Sequence, residues 1–357
     1  MKFIDWFAGI GGFRVGMEQA GHQCVGFCEK DKNAYDSYVA MHLCTDEEIS
    51  YIKSIPKLQR RKAEIAQHKY LHGEWYRKDI CDVKAIDIPY ADIWCFGAPC
   101  TDFSLCNFER RGLNGNKSRL VREIFRLLQE IPKQNKPKWL IYENVTGMLS
   151  SNKGFDFLAI LNSMVELGYN IEWQVLNSQC FGTPQNRQRV FVIGCLDGNE
   201  RTKIFPIDRV IEQVNYKKNK KYIQIKEPTS QGYALATIGD VINFSLPNST
   251  TRRGRVGHGV SPTIDTHCDL YVITDISDIK TDSANIDVLI DNIPHYVTIR
   301  RIIPQECFRL QGFHDKYYRK ASIVNGDVAL YKQCGNSVTT NIVYEIGCRI
   351  DNIQRMN

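Results

Sequence analysis

The sequence predicts an α/β protein with a mixed sheet and a smaller, irregular second domain. Three observations predict it. Over residues 1–196, short apolar runs of strand length are interleaved with amphipathic segments of helix length. The first run, from Lys2, passes through the turn Ala8-Gly9-Ile10-Gly11-Gly12 into a helix, which is how a nucleotide-type α/β fold opens. From about Leu196 the strand-like runs shorten and turns become frequent. The 357 residues allow one large domain with a substantial core plus a smaller one.

Composition sets the outer bounds. Hydrophobic residues make up 43% and charged residues 24%, ordinary for a globular protein. The formal charge of +6 permits a nucleic-acid partner without requiring one. No run approaches the roughly 20 apolar residues of a membrane span. Met1-Lys2-Phe3-Ile4-Asp5 enters a strand directly, so a secretory signal is not expected and the cytoplasm is the expected location. Thirteen cysteines without Cys-x-x-Cys pairs read as reduced thiols, and no metal site is expected.

The first helix runs to about Ala20 and stops at Gly21. Arg14 takes the third position of Gly-x-Gly-x-x-Gly, which argues against a dinucleotide fingerprint. The second strand, Gln23–Cys28, ends at Glu29, 20 residues after Gly9, a spacing at which a carboxylate takes ribose hydroxyls. Together they favour an adenosine-type cofactor. Asp31 to about His42 is helical; Glu47 to about Tyr70 reads as a charged helical insertion broken at Pro56, and Lys78-Asp79-Ile80 follows. The strand Ile93–Phe96 is stopped by Gly97 and Pro99, so Cys100 is the first reactive side chain past its end. A cysteine alone in such a turn reads as structural.

Asn107 to Lys117 is a polar, basic, glycine-punctuated loop. The helix predicted over 118–131 shows Leu120, Ile124, Leu127 and Leu128 on one face. A strand over Trp139–Tyr142 ends at Glu143-Asn144-Val145, a second strand end with an ionisable group. The helix over 155–167 has Phe155, Leu158, Leu161, Met164 and Val165 as its apolar positions, with Gly168 as cap. The strands 171–176 and 190–195 are joined too closely for a helical crossover, so they should be antiparallel. Arg187 and Arg189, entering the second of them, are expected to point to opposite faces, so that only one need face a site.

Residues 197–297 form the expected second domain, with a lysine cluster at 217–221 and the arginine-rich stretch Thr251 to Gly259. Asp275 to Asp291 reads as an acidic surface loop. Residues 298–357 return to the first domain: a helix with Pro304 in its first turn, a turn at Gly335-Asn336 with Ser337 as N-cap, and a helix from about Thr339 to Ile350.

Taken in order, Phe7–Phe13 (FAGIGGF), Gly97–Ser104 (GAPCTDFS), Glu143–Val145 (ENV), Gln185–Val190 (QNRQRV), Arg300–Phe313 (RRIIPQECFRLQGF) and Gln333–Val338 (QCGNSV) resemble the cytosine-5 DNA methyltransferase family of bacterial restriction–modification systems. The resemblance implies a Rossmann-like, S-adenosyl-L-methionine-dependent methyltransferase sheet, with 197–297 as target-recognition domain. It implies that Cys100 attacks the base, Glu143 protonates or hydrogen-bonds ring nitrogen 3, Arg189 contacts the base and Arg187 supports it. Cofactor contacts are implied for Phe7, Ala8, Gly9, Ile10, Gly11, Gly12, Glu29, Lys30, Asp79, Ile80, Gly97, Pro99, Asn336, Ser337 and Val338. Double-stranded DNA is the implied partner, its cytosine flipped out of the stack. Ser104, Arg110, Arg111 and Lys117 are candidate DNA contacts in the loop, and Arg252, Arg253 and Arg255 in the second domain, to bases or to phosphates. A monomer is expected, with a cognate restriction endonuclease acting on the same site. Thr101 departs from the glutamine usual after the cysteine, and Asn116-Lys117-Ser118-Arg119 from the usual loop sequence. A tRNA methyltransferase and a catalytically silent DNA-binding relative share the scaffold; the intact Cys100, Glu143 and Arg189 set argues against the silent one.

Overall fold

The computed structural model describes residues 1–98, 120–197, 202–209, 223–246, 248–251, 253–275, 286–290 and 293–356. Its main layer is a seven-stranded sheet built from β1 (Lys2–Trp6), β2 (Gln23–Cys28), β3 (Trp75–Arg77), β4 (Ile93–Phe96), β5 (Trp139–Val145), β6 (Tyr169–Asn177) and β7 (Gln188–Leu196). The order is β3-β2-β1-β4-β5-β7-β6. Strands β3, β2, β1, β4 and β5 are parallel; β7 runs antiparallel to β6, as the short link predicted, and also to β5. The chain steps outward from β1 to β3, then returns to place β4 on the other side of β1. That reversal opens a crevice at the carboxyl ends of β1 and β4, where such sheets bind ligands.

Alternation along the strands divides the core into two faces. Phe3, Cys95, Ile141, Phe191 and Ile193 pack against Phe13 and Met17 of α1 (Gly12–Gln19) and Val343, Ile346 and Ile350 of α10 (Thr340–Met356). Ile4, Trp94, Phe96, Leu140 and Tyr142 face α5 (Val121–Glu130) and α6 (Phe155–Glu166). A Cβ on Gly16 would lie 2.6 Å from the Thr340 carbonyl, so this glycine permits the close α1–α10 approach. On α6 the buried side chains are Phe157, Ile160 and Met164, whereas Phe155, Leu158 and Val165 are exposed. Of the five expected apolar positions, Met164 is in the core and Leu161 packs against it, while the other three face out, because the apolar residues spread over more than one face of the helix.

Helix α2 (Lys32–His42) is followed by the insertion, which forms α3 (Asp46–Ser54) and α4 (Leu58–Ile65) on either side of Pro56, as expected. A Thr45–Glu48 capping box starts α3. Ile49, Ile52 and Ile65 pack on α2 and on Val324 of α8 (Asp315–Val324).

A hairpin of β8 (Ile223–Lys226) and β9 (Tyr233–Ala236) precedes a five-stranded antiparallel sheet. Its strands are β10 (Val241–Asn243), β11 (Val256–Gly257), β12 (Leu270–Asp275), β13 (Ile286–Ile290) and β14 (Ile293–Arg301), in the order β11-β10-β12-β14-β13. The acidic loop expected to Asp291 therefore contains a strand, Ile286–Ile290, paired antiparallel with β14. Strand β14 also carries this sheet to Arg301, past residue 297. Helices α7 (Pro304–Leu310) and α9 (Asp327–Asn336) follow, and α9 absorbs Gly335 and Asn336, which were expected in a turn. The break falls instead at 337–339. A Cβ on Gly335 would meet the Asp265 carbonyl at 2.4 Å, so packing against the 265–268 loop explains this glycine. No helix among the described residues is long and apolar enough to cross a membrane.

Candidate active site

The turn after β1 folds back on itself through three left-handed residues, Phe7 (φ 56°), Gly9 (φ 57°) and Gly11 (φ 79°). Such a φ is strained for phenylalanine, and backbone strain of this kind collects at functional sites. The Ala8 amide donates to the Cys28 carbonyl, and the Gly9 amide to Glu29 Oε2 at 2.7 Å. Glu29 Oε1 accepts from the Asp31 amide at 2.6 Å. Burial pushes the Glu29 carboxyl up, against the pull of these amides. Ser337 and Val338, more than 300 residues away in sequence, close over the same turn. A Cβ on Gly12 would lie 2.6 Å from the Val338 carbonyl and 2.7 Å from Ser337 Oγ. Only glycine fits there. Above Gly9, by contrast, an added Cβ would meet no described residue within 4 Å, so among the described residues the turn borders open space.

Other residues expected around the cofactor fall into two groups. Asp79 stands near Glu29 with its Oδ2 paired to Lys30 Nζ at 2.5 Å and its Oδ1 accepting from the Cys81 amide at 3.1 Å. The Lys30 ammonium holds the Asp79 carboxyl below its usual range. The side chains of Ile10 and Ile80 are in separate core clusters, so only their backbone is available to a ligand. Asn336 is exposed at the end of α9.

Glu143 and Arg189 meet on one face of the sheet. In the β5–β7 register Glu143 opposes Phe191 and Val145 opposes Arg189, so the two charged side chains are diagonal neighbours. Arg189 Nε lies 3.1 Å from Glu143 Oε1, with both side chains mostly buried (14% and 13% exposed). Burial raises the Glu143 carboxyl above its usual range, although Arg189 and Arg187 pull the other way. A Cβ on Gly97 would sit 3.3 Å from Glu143 Oε2, which places the end of β4 directly against this carboxyl. Pro99, Cys100, Ser104, Arg110, Arg111 and Lys117, and Arg252 of the second region, lie outside the described residues.

Arg187 takes the other direction, but not by alternation: residues two apart share a strand face, and Arg187 diverges because it lies before β7 begins at Gln188. It is buried, and donates from Nη1 to the Ile264 carbonyl (3.3 Å) and from Nη2 to the carbonyls of Gly335 (3.1 Å) and Ser337 (2.8 Å). It thereby ties the start of β7 to the 337–338 turn and to the loop after β11. Of the arginines expected to touch DNA, Arg255 is 2% exposed and donates to the carbonyls of Lys226, Leu246 and Ser249. It is a staple inside the second region and does not present its charge to a ligand, which corrects the expectation. Arg253 is exposed, with Nε 3.2 Å from the Pro228 carbonyl.

The family described as C-5 cytosine-specific DNA methylase matches residues 1–352. The chain belongs to that family. The methylase is 28% identical to the type II methyltransferase M.HhaI of Haemophilus parahaemolyticus over 98% of this chain and 94% of that protein. It is 27% identical to the type II methyltransferase M.DsaV of Dactylococcopsis salina over 97% and 84%. Among solved structures, the S. pombe Dnmt2 methyltransferase has the same fold, with a TM-score of 0.60 at 16% identity and 99% of each chain covered. The Entamoeba histolytica methyltransferase EhMeth gives 0.59 at 16% identity, over 99% and 98%.

Behind the turn the methylase carries a buried ionic cluster that sequence reasoning missed. Arg14 donates from Nη1 to Glu74 Oε1 (2.7 Å) and Tyr38 (3.2 Å), and from Nε to Glu18 (2.9 Å). Buried Asp5 of β1 is its neighbour, and burial pushes that carboxyl well up. The one visible signal was Arg14 itself, in the slot where a dinucleotide turn needs glycine. Glu74 lies far along the chain, at the end of the insertion, and nothing local marks it.

Proposed function

We propose that the protein methylates carbon 5 of a flipped cytosine within a short double-stranded DNA sequence, as the modification half of a restriction–modification pair. Cys100 is the proposed nucleophile, Glu143 the acid, Arg189 the base contact and S-adenosylmethionine the methyl donor. The observation that carries the reading is the buried Glu143–Arg189 pair against Gly97, three residues before Cys100.

The chemistry asks for these groups. Carbon 5 of cytosine is a poor nucleophile. Addition of the Cys100 thiolate to carbon 6 forms an S–C bond and moves the ring electrons toward carbon 5. A proton or hydrogen bond at ring nitrogen 3 eases that addition, and a carboxyl whose pKa is raised by burial supplies it. Arg189 supplies positive charge beside the ring oxygen. Once carbon 5 is methylated, loss of its proton to solvent and departure of the thiolate restore the aromatic ring.

The residues at the turn fit an adenosine-type cofactor: open space above Gly9 among the described residues, a strained Phe7 at its rim, and Glu29 held beside it. Phe7 would stack on the adenine, Glu29 take the ribose hydroxyls and Asp79 the adenine amino group, with the backbone of 9–12 and 336–338 at the methionine end. When bound, S-adenosylmethionine supplies an electrophilic methyl group. Arg187 supports this site by fixing the 337–338 turn. We assign sequence reading to the region 197–297, with the catalytic region at 1–196 and the hinge and return at 298–357; the protein would act as a monomer.

The test is tritiated S-adenosylmethionine with mixed DNA and tRNA, followed by bisulfite mapping. Label at one cytosine of a short DNA sequence is expected. Label in tRNA alone overturns the DNA reading, and DNA binding without label in either marks a silent relative.

A further inference from the structure

We infer that His42 is a positioning residue for the cofactor turn, holding the Ile10 carbonyl so that the backbone of Phe7–Gly12 keeps its left-handed path. The inference rests on the cofactor reading above and adds to it a residue outside every motif of the sequence.

The turn needs an anchor on its far side. Three left-handed residues in five do not hold themselves, and one of them is phenylalanine. On one side the Gly9 amide is fixed by Glu29, which stands just before α2. On the other side His42, the last residue of α2, places Nε2 2.9 Å from the Ile10 carbonyl oxygen. A carbonyl only accepts, so Nε2 carries the proton. One helix thus grips the turn from both of its ends.

Three further contacts fix the ring. It meets Tyr38 edge-on at 4.8 Å between centroids and lies 5.5 Å from Tyr317 of α8. Its Nε2 fills the space that glycine leaves at position 11, where a Cβ would come within 2.4 Å. Burial, with the charges of Arg14, Lys320 and Lys316 around it, pushes the imidazolium pKa down to about 3, so the ring is neutral across the working range. His42 is therefore a fixed donor, and α8 of the C-terminal segment is connected through it to the cofactor turn.

The experiment compares wild type, His42→Phe and His42→Gln by calorimetry with S-adenosylmethionine and its demethylated product, by steady-state kinetics and by hydrogen exchange of the amides 9–12 without cofactor. Phenylalanine keeps the ring and removes the donor; glutamine keeps a donor at similar reach. Loss of one neutral hydrogen bond predicts about three- to tenfold weaker binding of both ligands in His42→Phe. The cofactor KM should rise by the same factor and by more than kcat falls, the amides should exchange faster, and His42→Gln should recover most of the loss. Unchanged binding in His42→Phe overturns the inference. Equal damage in both variants with a fallen Tm overturns it too, since that marks plain packing. Wild type that binds no S-adenosylmethionine overturns the cofactor reading itself, a result distinct from the other two.

Discussion

At the carboxyl edge of the seven-stranded sheet, Arg189 turns its guanidinium onto a carboxyl and leaves that pair facing the end of β4. In the second region Arg255, just as basic and also beside a strand start, spends its donors on three backbone carbonyls. The contrast lies in what surrounds each. Arg189 lies in β7 between two paired strands; it gives Nη1 to the Gln188 carbonyl and keeps Nε on the Glu143 carboxyl, at the site. Arg255 sits among loops whose carbonyls have no ladder to join, so its donors complete the fold. Arg187 repeats the second case two residues from Arg189. Local sequence is the same; the number of orphan carbonyls nearby decides the role.

Substitutions along this divide should separate turnover from stability. Glu143→Gln should have the largest effect, lowering turnover by about 10²–10⁴ while the thermal midpoint stays close to wild type. A loss below tenfold, in single-turnover assays, would remove Glu143 as the acid. Arg189→Ala should lower turnover by about 10²–10³, with DNA still bound. Arg255→Ala should behave oppositely. It should cost about 2–4 kcal/mol of stability in denaturant unfolding, because buried carbonyls lose a charged donor. Its turnover on DNA, measured well below the midpoint, should fall little.

The pH dependence sharpens the same point. Burial raises the Glu143 carboxyl, so the acid form persists above the usual carboxylate range. Single-turnover rates should decline as pH rises through this raised pKa, and that limb should vanish in Glu143→Gln. Stability follows the same sign. The folded-state pKa lies above the unfolded one, so the contribution of Glu143 is full below the unfolded value and is lost as pH rises through the folded value. The smallest effect is expected of exposed Arg253. Its replacement by alanine should reduce the salt slope of DNA binding by about one if it touches a phosphate.

Much of this was readable from residues alone. Apolar runs closed by glycine or by a carboxylate marked β1, β2, β4 and β5, because a buried parallel strand has few other ways to look. Parity did not separate Arg187 from Arg189, since residues two apart share a strand face; their different partners follow from β7 beginning only at Gln188. Partners distant in sequence were not readable. Glu74 reaches Arg14 from the end of an insertion, and His42 reaches Ile10 along a helix that bears no motif. Helix α6 misled in part, because its apolar residues spread over more than one face, and β13 because it lies within an acidic stretch. Arg255 misled for a different reason: composition counts charge and does not count carbonyls that need donors.

The account stands on Cys100 attacking a cytosine held by Glu143 and Arg189. DNA carrying 5-fluorocytosine at the mapped position tests it directly, since fluorine at carbon 5 blocks the elimination that releases the enzyme. With S-adenosylmethionine present, wild type should form a denaturation-resistant protein–DNA adduct, and Cys100→Ala, though still binding DNA, should form none. An adduct of equal yield in Cys100→Ala would contradict the account.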